Sequence, residues 1–164
     1  MPGMAEHMRA LAETTGWASL AAPDGAGVWR VALENDLDAT FFALGDRKCV
    51  MRGVVVNLPA AAAEAEALCA EAARKQVAAL RERPSILALE APGQSLVPGE
   101  EPAAARLVCF RSVPLGIFTD TFVAEVQGWL NDLSWWKAVL GQGGQQGADV
   151  HGLFSAGMFS GIRL

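Results

Sequence analysis

The sequence predicts a single α+β domain: an antiparallel sheet of about five strands with three helices, in the order α-β-β-β-α-β-β-α. Three observations carry this expectation. VWRVALEN (28–35), LDATFFAL (37–44) and KCVMRGVVVNL (48–58) follow one another across short polar turns, the pattern of strands joined as a meander. An alanine-rich stretch from Pro59 to about Arg83 interrupts that pattern and reads as a helix. In FVAEVQGWLNDLSWWKAVL (122–140), Phe122, Val126, Trp129, Leu133, Trp136 and Leu140 recur at steps of four and three and fall on one helical stripe.

Each element has its own local signals. Residues 2–15 form the first helix, with Pro2 early, Met4, Met8 and Leu11 on one side, and Gly16 at its end. Pro23-Asp24-Gly25 turns the chain into the first strand, where Trp29, Val31 and Leu33 share one face and Arg30 and Glu34 the other. Asn35-Asp36 and Gly45-Asp46-Arg47 make the two following turns. Phe41 and Phe42 are adjacent, so they point to opposite faces, and the second face must be covered by helices, a second subunit or a client.

In the second helix acidic residues gather early (Glu64, Glu66, Glu71) and basic ones late (Arg74, Lys75, Arg81, Arg83), matching the helix dipole. Eleven of residues 60–79 are alanine, and so many small side chains suit either a flat face on the chain's own sheet or a close-packed homodimer contact. SILALE (85–90) and ARLVCFRSV (105–113) are two further strands, separated by the loop PGQSLVPGEEP. Thr119 or Asp120 caps the last helix, and Gly141 closes it. On that helix Glu125, Asn131 and Asp132 look outward together with Trp135, the one tryptophan of the helix that the stripe does not absorb. The domain is expected to span 1–140. Residues 141–164 read as a Gly/Gln-rich tether, strongest over 141–147, followed by a sparse apolar tail with Phe154, Met158 and Ile162.

Composition narrows the function classes. With 52% hydrophobic residues and a formal net charge of -5 in 164 residues, the chain is long enough for one core and is not expected to bind nucleic acid. No apolar run approaches the ~18 residues of a membrane span, and MPGMAEHMRA carries no signal-peptide core, so a cytoplasmic location without membrane contact is expected.

Chemistry is weakly signalled. Cys49, Cys69 and Cys109 are scattered, no C-x-x-C occurs, and His7 and His151 are the only histidines; free thiols are expected, with neither a metal site nor a Cys/His pair. Gly141-Gln142-Gly143-Gly144 follows a helix and lacks phosphate-loop spacing. Glu34, Asp36 and Asp38, and likewise Glu100-Glu101, fall in turns and loops where solvated charge is the ordinary explanation. No catalytic residue, cofactor or metal is assigned, and a non-enzymatic binding protein is the expectation.

The element order in a small acidic chain, with DGAGVWRVALEN entering the first strand, KCVMRGVVVNLP leading to the helix and ARLVCFRSVPL preceding the last one, resembles the class I chaperones of type III secretion, the Tir-chaperone (CesT-like) family. The resemblance covers about residues 4–140. It departs from the family in the long 91–104 loop and in the tail. It implies a homodimer that holds the N-terminal chaperone-binding segment of a secreted effector in extended form, soluble and export-competent, with the secretion-associated ATPase as a further partner. By matched element it assigns Met4, Met8, Leu11, Trp29, Val31 and Phe42 to a client or core surface, and Leu68, Ala72, Leu107 and Phe110 to the dimer; Trp135 joins the client set as the outward indole. The alternative is a YbjN-like regulatory or adaptor module of the same fold.

Overall fold

The computed structural model describes residues 2–141. Over these the chain forms α1 (Met4–Thr15), a 3-10 turn (Ala18–Leu20), β1 (Val28–Ala32), β2 (Asp38–Leu44), β3 (Lys48–Asn57), α2 (Ala62–Ala79), β4 (Ile86–Glu90), β5 (Arg106–Pro114) and α3 (Thr119–Gly141). The strands make one antiparallel sheet in the order β1-β2-β3-β5-β4. The order of helices and strands is the expected one, and β1 and β4 are the sheet edges. The tail residues Phe154, Met158 and Ile162, and all of the tether beyond Gly141, lie outside the described residues.

Local chemistry explains the turns. Asn35 and Asp36 both have positive φ, 61° and 56°, as the two central residues of the tight turn that the Leu37 N–H closes on the Glu34 carbonyl, and their short polar side chains tolerate that region. Gly16 ends α1 at φ 76°, with its N–H on the carbonyl of Ala12. α2 is shorter than its sequence signals at both ends, so Arg81 and Arg83 lie beyond it rather than in its last turn.

One face of the sheet carries α1 and α3. All six residues of the α3 stripe are buried, and Phe41 meets the Trp129 ring edge-on at a centroid distance of 5.9 Å. α3 crosses β3 so closely that a Cβ on Gly53 would lie 2.4 Å from Leu133 Cδ2 and 2.9 Å from the Asp38 carbonyl oxygen. Only glycine leaves room there. α1 is fixed to α3 by His7, which is buried, stacks on Phe122 at 4.5 Å, and donates from Nε2 to the Leu115 carbonyl at 2.9 Å.

One part of the predicted outward face of α3 is corrected. Asp132 is buried, because the segment joining α2 to β4 passes over it: Ser85 Oγ donates to Asp132 Oδ2 at 2.5 Å and Arg83 Nη1 to Oδ1 at 3.2 Å. Glu125 on the same helix pairs with Arg111 of β5.

Candidate protein-interaction surface

The second face of the sheet is where sequence and structure differ most. The loop between β4 and β5 lies across it as a strap. Among residues 92–101 only Val97 is buried, and it packs on Val28, Phe42 and Val50. Phe42 therefore needs neither a helix, a second subunit nor a client to cover it; the chain's own loop does so.

Beside this small apolar cluster is a network of charges. The directly opposed residues Ile86, Phe110, Arg52, Thr40 and Arg30 form a row across all five strands on this face. Arg52 and Glu90 have side-chain exposures of 4% and 2%, too low for either charge to stand alone. Glu90 accepts from Arg52, from Arg106 Nε at 2.8 Å, from the Leu96 N–H at 2.9 Å and from Ser95 Oγ at 3.1 Å. Glu100, expected as a solvated loop residue, instead accepts from Arg30 Nη1 at 3.1 Å, from Arg52 Nη2 at 3.3 Å and from Arg106. Asp24 closes the outer end against Arg30 Nε at 3.4 Å.

Burial pushes the Glu90 and Glu100 carboxyls up, but the combined hydrogen bonds and charges outweigh it. For Glu90 these are bonds from Arg52, Leu96 and Arg106, and for Glu100 bonds from Arg106 and Arg30 with the nearby charge of Arg52; both groups are held below the usual carboxylate range. The sequence held a signal for this network. Arg52 sits in the middle of an otherwise apolar strand, and a charge in such a place requires a buried partner.

Each sheet edge is guarded at one position. On β4, Gln76 of α2 donates from Nε2 to the Ser85 carbonyl at 3.1 Å and accepts the Leu87 N–H at 2.6 Å. Its carboxamide thus stands where the peptide group of a sixth strand would. On β1, Asp24 does the same work: its N–H donates to the Val28 carbonyl at 2.8 Å and its Oδ1 accepts the Val28 N–H at 3.0 Å. By the alternation of an antiparallel ladder, the Leu89 N–H and Leu87 carbonyl point the same way as the guarded pair on β4. They have no partner among the described residues. Ile86 on one face and Leu89 on the other are 46% and 56% exposed, with Val77 and Leu80 exposed on and just beyond α2.

The residues assigned from the sequence are placed differently from that surface. Met4, Met8, Leu11, Trp29 and Val31 are buried in the main core, and Phe42 is buried under the strap, so all six take the core side of their assignment. Ala72 and Leu107 are likewise buried within the chain, whereas Leu68 and Phe110 are half-buried. Trp135 is half-buried rather than free. The Arg83 guanidinium lies 4.6 Å over its ring, and it meets Trp136 edge-on at 4.7 Å. A helical projection gives the angle of Trp135 on α3, but not the arrival of Arg83 from another segment.

Cys49, Cys69 and Cys109 are free. Burial pushes the Cys49 and Cys109 thiols up to about 12. Among the described residues no group of His, Cys, Asp and Glu is arranged to hold a metal ion, and no helix is long and apolar enough to cross a membrane.

No family model and no curated protein matches the chain. Among solved structures it is similar to a chain of the HopA1-SchA chaperone-effector complex, with 17% identity and a TM-score of 0.43, covering 70% of this chain and 78% of that one.

Proposed function

We propose that this chain is a cytoplasmic, non-enzymatic secretion chaperone that binds the N-terminal segment of an effector in extended form and keeps it export-competent. The observation that carries the reading is the β4 edge, where unpaired backbone groups at Leu87 and Leu89 lie between two exposed aliphatic side chains. Such an edge takes an extended segment through main-chain pairing, while alternate side chains find Ile86 and Leu89. The element order, which resembles the Tir-chaperone family, supports the same reading.

The reading includes a homodimer. Since Ala72 and Leu107 face inward, its contact is assigned to the exposed side of α2, where Ala63, Ala67, Ala70 and Val77 follow one another at helical spacing.

Co-expression with candidate effector N-terminal segments tests the function. Capture of one segment by the wild-type chain, lost in Leu89→Lys with the fold intact, is the expected result. Equal capture by both forms removes the β4 edge from the mechanism, and no capture of any segment removes the chaperone reading. Light scattering tests the dimer, which requires twice the chain mass of 17.3 kDa.

A further inference from the structure

We infer that residues 92–102 are a built-in occupant of a peptide site on the second sheet face, and that an external segment with an aliphatic residue followed three positions later, across a tight turn, by a carboxylate can take their place. The identity of that segment's natural owner rests on the chaperone reading; the site does not.

The strap is held at few points. Its backbone hydrogen bonds are internal: Gly93 N–H to the Pro102 carbonyl at 2.9 Å, Gln94 N–H to Ala91 at 3.0 Å, Glu100 N–H to Val97 at 3.2 Å. None joins it to a strand's main chain. It touches the sheet through Val97 in the Val28, Phe42 and Val50 cluster, through Glu100 on the three arginines, and through the Leu96 N–H and Ser95 hydroxyl on Glu90, while Pro102 at its end is also buried. Around these holds the loop leaves a crevice of about 440 Å³ lined by its own residues, 93–101. A segment attached this way can lift without breaking the sheet ladder.

Charge specifies what replaces it. With the strap in place Arg30, Arg52 and Arg106 face Asp24, Glu90 and Glu100, three charges against three. When the strap lifts, Glu100 leaves with it and three arginines face two carboxylates. The uncovered face then combines an aliphatic pocket with a local cationic excess, on a chain whose overall charge is -5. Its complement is a segment that is aliphatic at one point and acidic three positions later, brought to the Val97-to-Glu100 separation by a turn like the one that the Glu100 N–H to Val97 carbonyl bond closes. Glu90, fixed on β4, supplies one main-chain contact: it accepts the N–H of the residue preceding the aliphatic anchor, as it now accepts that of Leu96.

The test uses a fluorescent peptide of sequence PGQSLVPGEEP, identical to residues 92–102, titrated by anisotropy against the full chain and against its Val97→Ser, Glu100→Gln double variant. In the wild type the tethered strap competes with the peptide. The double variant is therefore expected to bind about tenfold or more tightly, because the apparent affinity scales with the fraction of chains whose site is vacant. A peptide carrying serine in place of its valine is expected not to bind. Equal affinity of wild type and variant, or equal binding of the two peptides, overturns the inference.

Should the double variant not fold, amide hydrogen exchange on the wild type decides. Leu96 and Val97 are expected to exchange well ahead of Met51 and Cys109 in the sheet, and equal protection overturns the inference. If the peptide binds the double variant while neither form captures an effector segment, the site stands and the chaperone reading falls.

Discussion

Glu90→Ala tests the charge network most directly. The change removes the acceptor of two arginines, of the Leu96 N–H and of the Ser95 hydroxyl, while Arg52 stays buried beside β5. Removing one partner of a buried pair typically destabilises by about 3–5 kcal/mol. Glu100 still contacts both Arg52 and Arg106, which places the expected loss near the lower end, about 3 kcal/mol. Native domains have about 5–15 kcal/mol in total, so the variant folds with a reduced margin. With a urea dependence of about 2 kcal/mol per molar, the midpoint should fall by about 1.5 M. The assay is urea unfolding followed by tryptophan emission. A shift below about 0.3 M, well under that expectation, would show that Glu90 is effectively solvated and refute the reasoning. The Arg52→Met, Glu90→Met pair should recover much of the loss, because a fully apolar replacement leaves neither of these charges unpaired.

Four further outcomes are expected. Since the folded-state pKa values of Glu90 and Glu100 are lowered, their stabilisation is complete above the ordinary value of 4.5 and is lost as pH falls through the depressed values; urea midpoints across pH 3–6, about the carboxylate range, should show this, with a flatter profile in Glu90→Ala. Gly53→Ala should lower stability by about 1–3 kcal/mol because the new methyl group meets Leu133 and the Asp38 carbonyl; thermal unfolding that matches wild type would contradict that packing. In the native state a thiol reagent at pH 8 should label Cys69 and leave Cys49 and Cys109 unmodified, their thiols being pushed up to about 12, and mass spectrometry of the labelled peptides reads the outcome. Trp135→Ala should reduce stability by about 1 kcal/mol through loss of the Arg83 stack, and if effector capture falls while the urea midpoint does not, Trp135 is a contact residue after all.

Local chemistry made much of the fold legible. The Asn35-Asp36 turn, the three-strand meander and the α3 stripe depend on residues close in sequence, and periodicity reports such features directly. What the sequence did not yield depends on segments that meet from far apart. Asp132 looked outward because a helical projection knows one core and not the Arg83–Ser85 segment that crosses the other side. Glu100 looked solvated because it lies in a loop rich in Pro and Gly, although Arg30, Arg52 and Arg106 on alternate strand positions were waiting for carboxylates. Met4, Met8, Leu11, Trp29, Val31 and Phe42 are large apolar residues on amphipathic elements, and the same pattern serves a core or a client; burial decides for the core. The β4 edge could be drawn from the strand order, but the carboxamide of Gln76 that occupies part of it had no sequence signature.

The guarded edges have a kinetic consequence. Gln76 and Asp24 each take one peptide position at the end of an edge strand of five residues, so an incoming chain finds only a short remaining ladder. A long uninterrupted edge would propagate pairing residue after residue and hold its partner almost irreversibly. A truncated one makes each added strand easy to peel away, so residence time falls to the side chains. Under the proposed chaperone role, release of a bound segment is then set by a few aliphatic contacts.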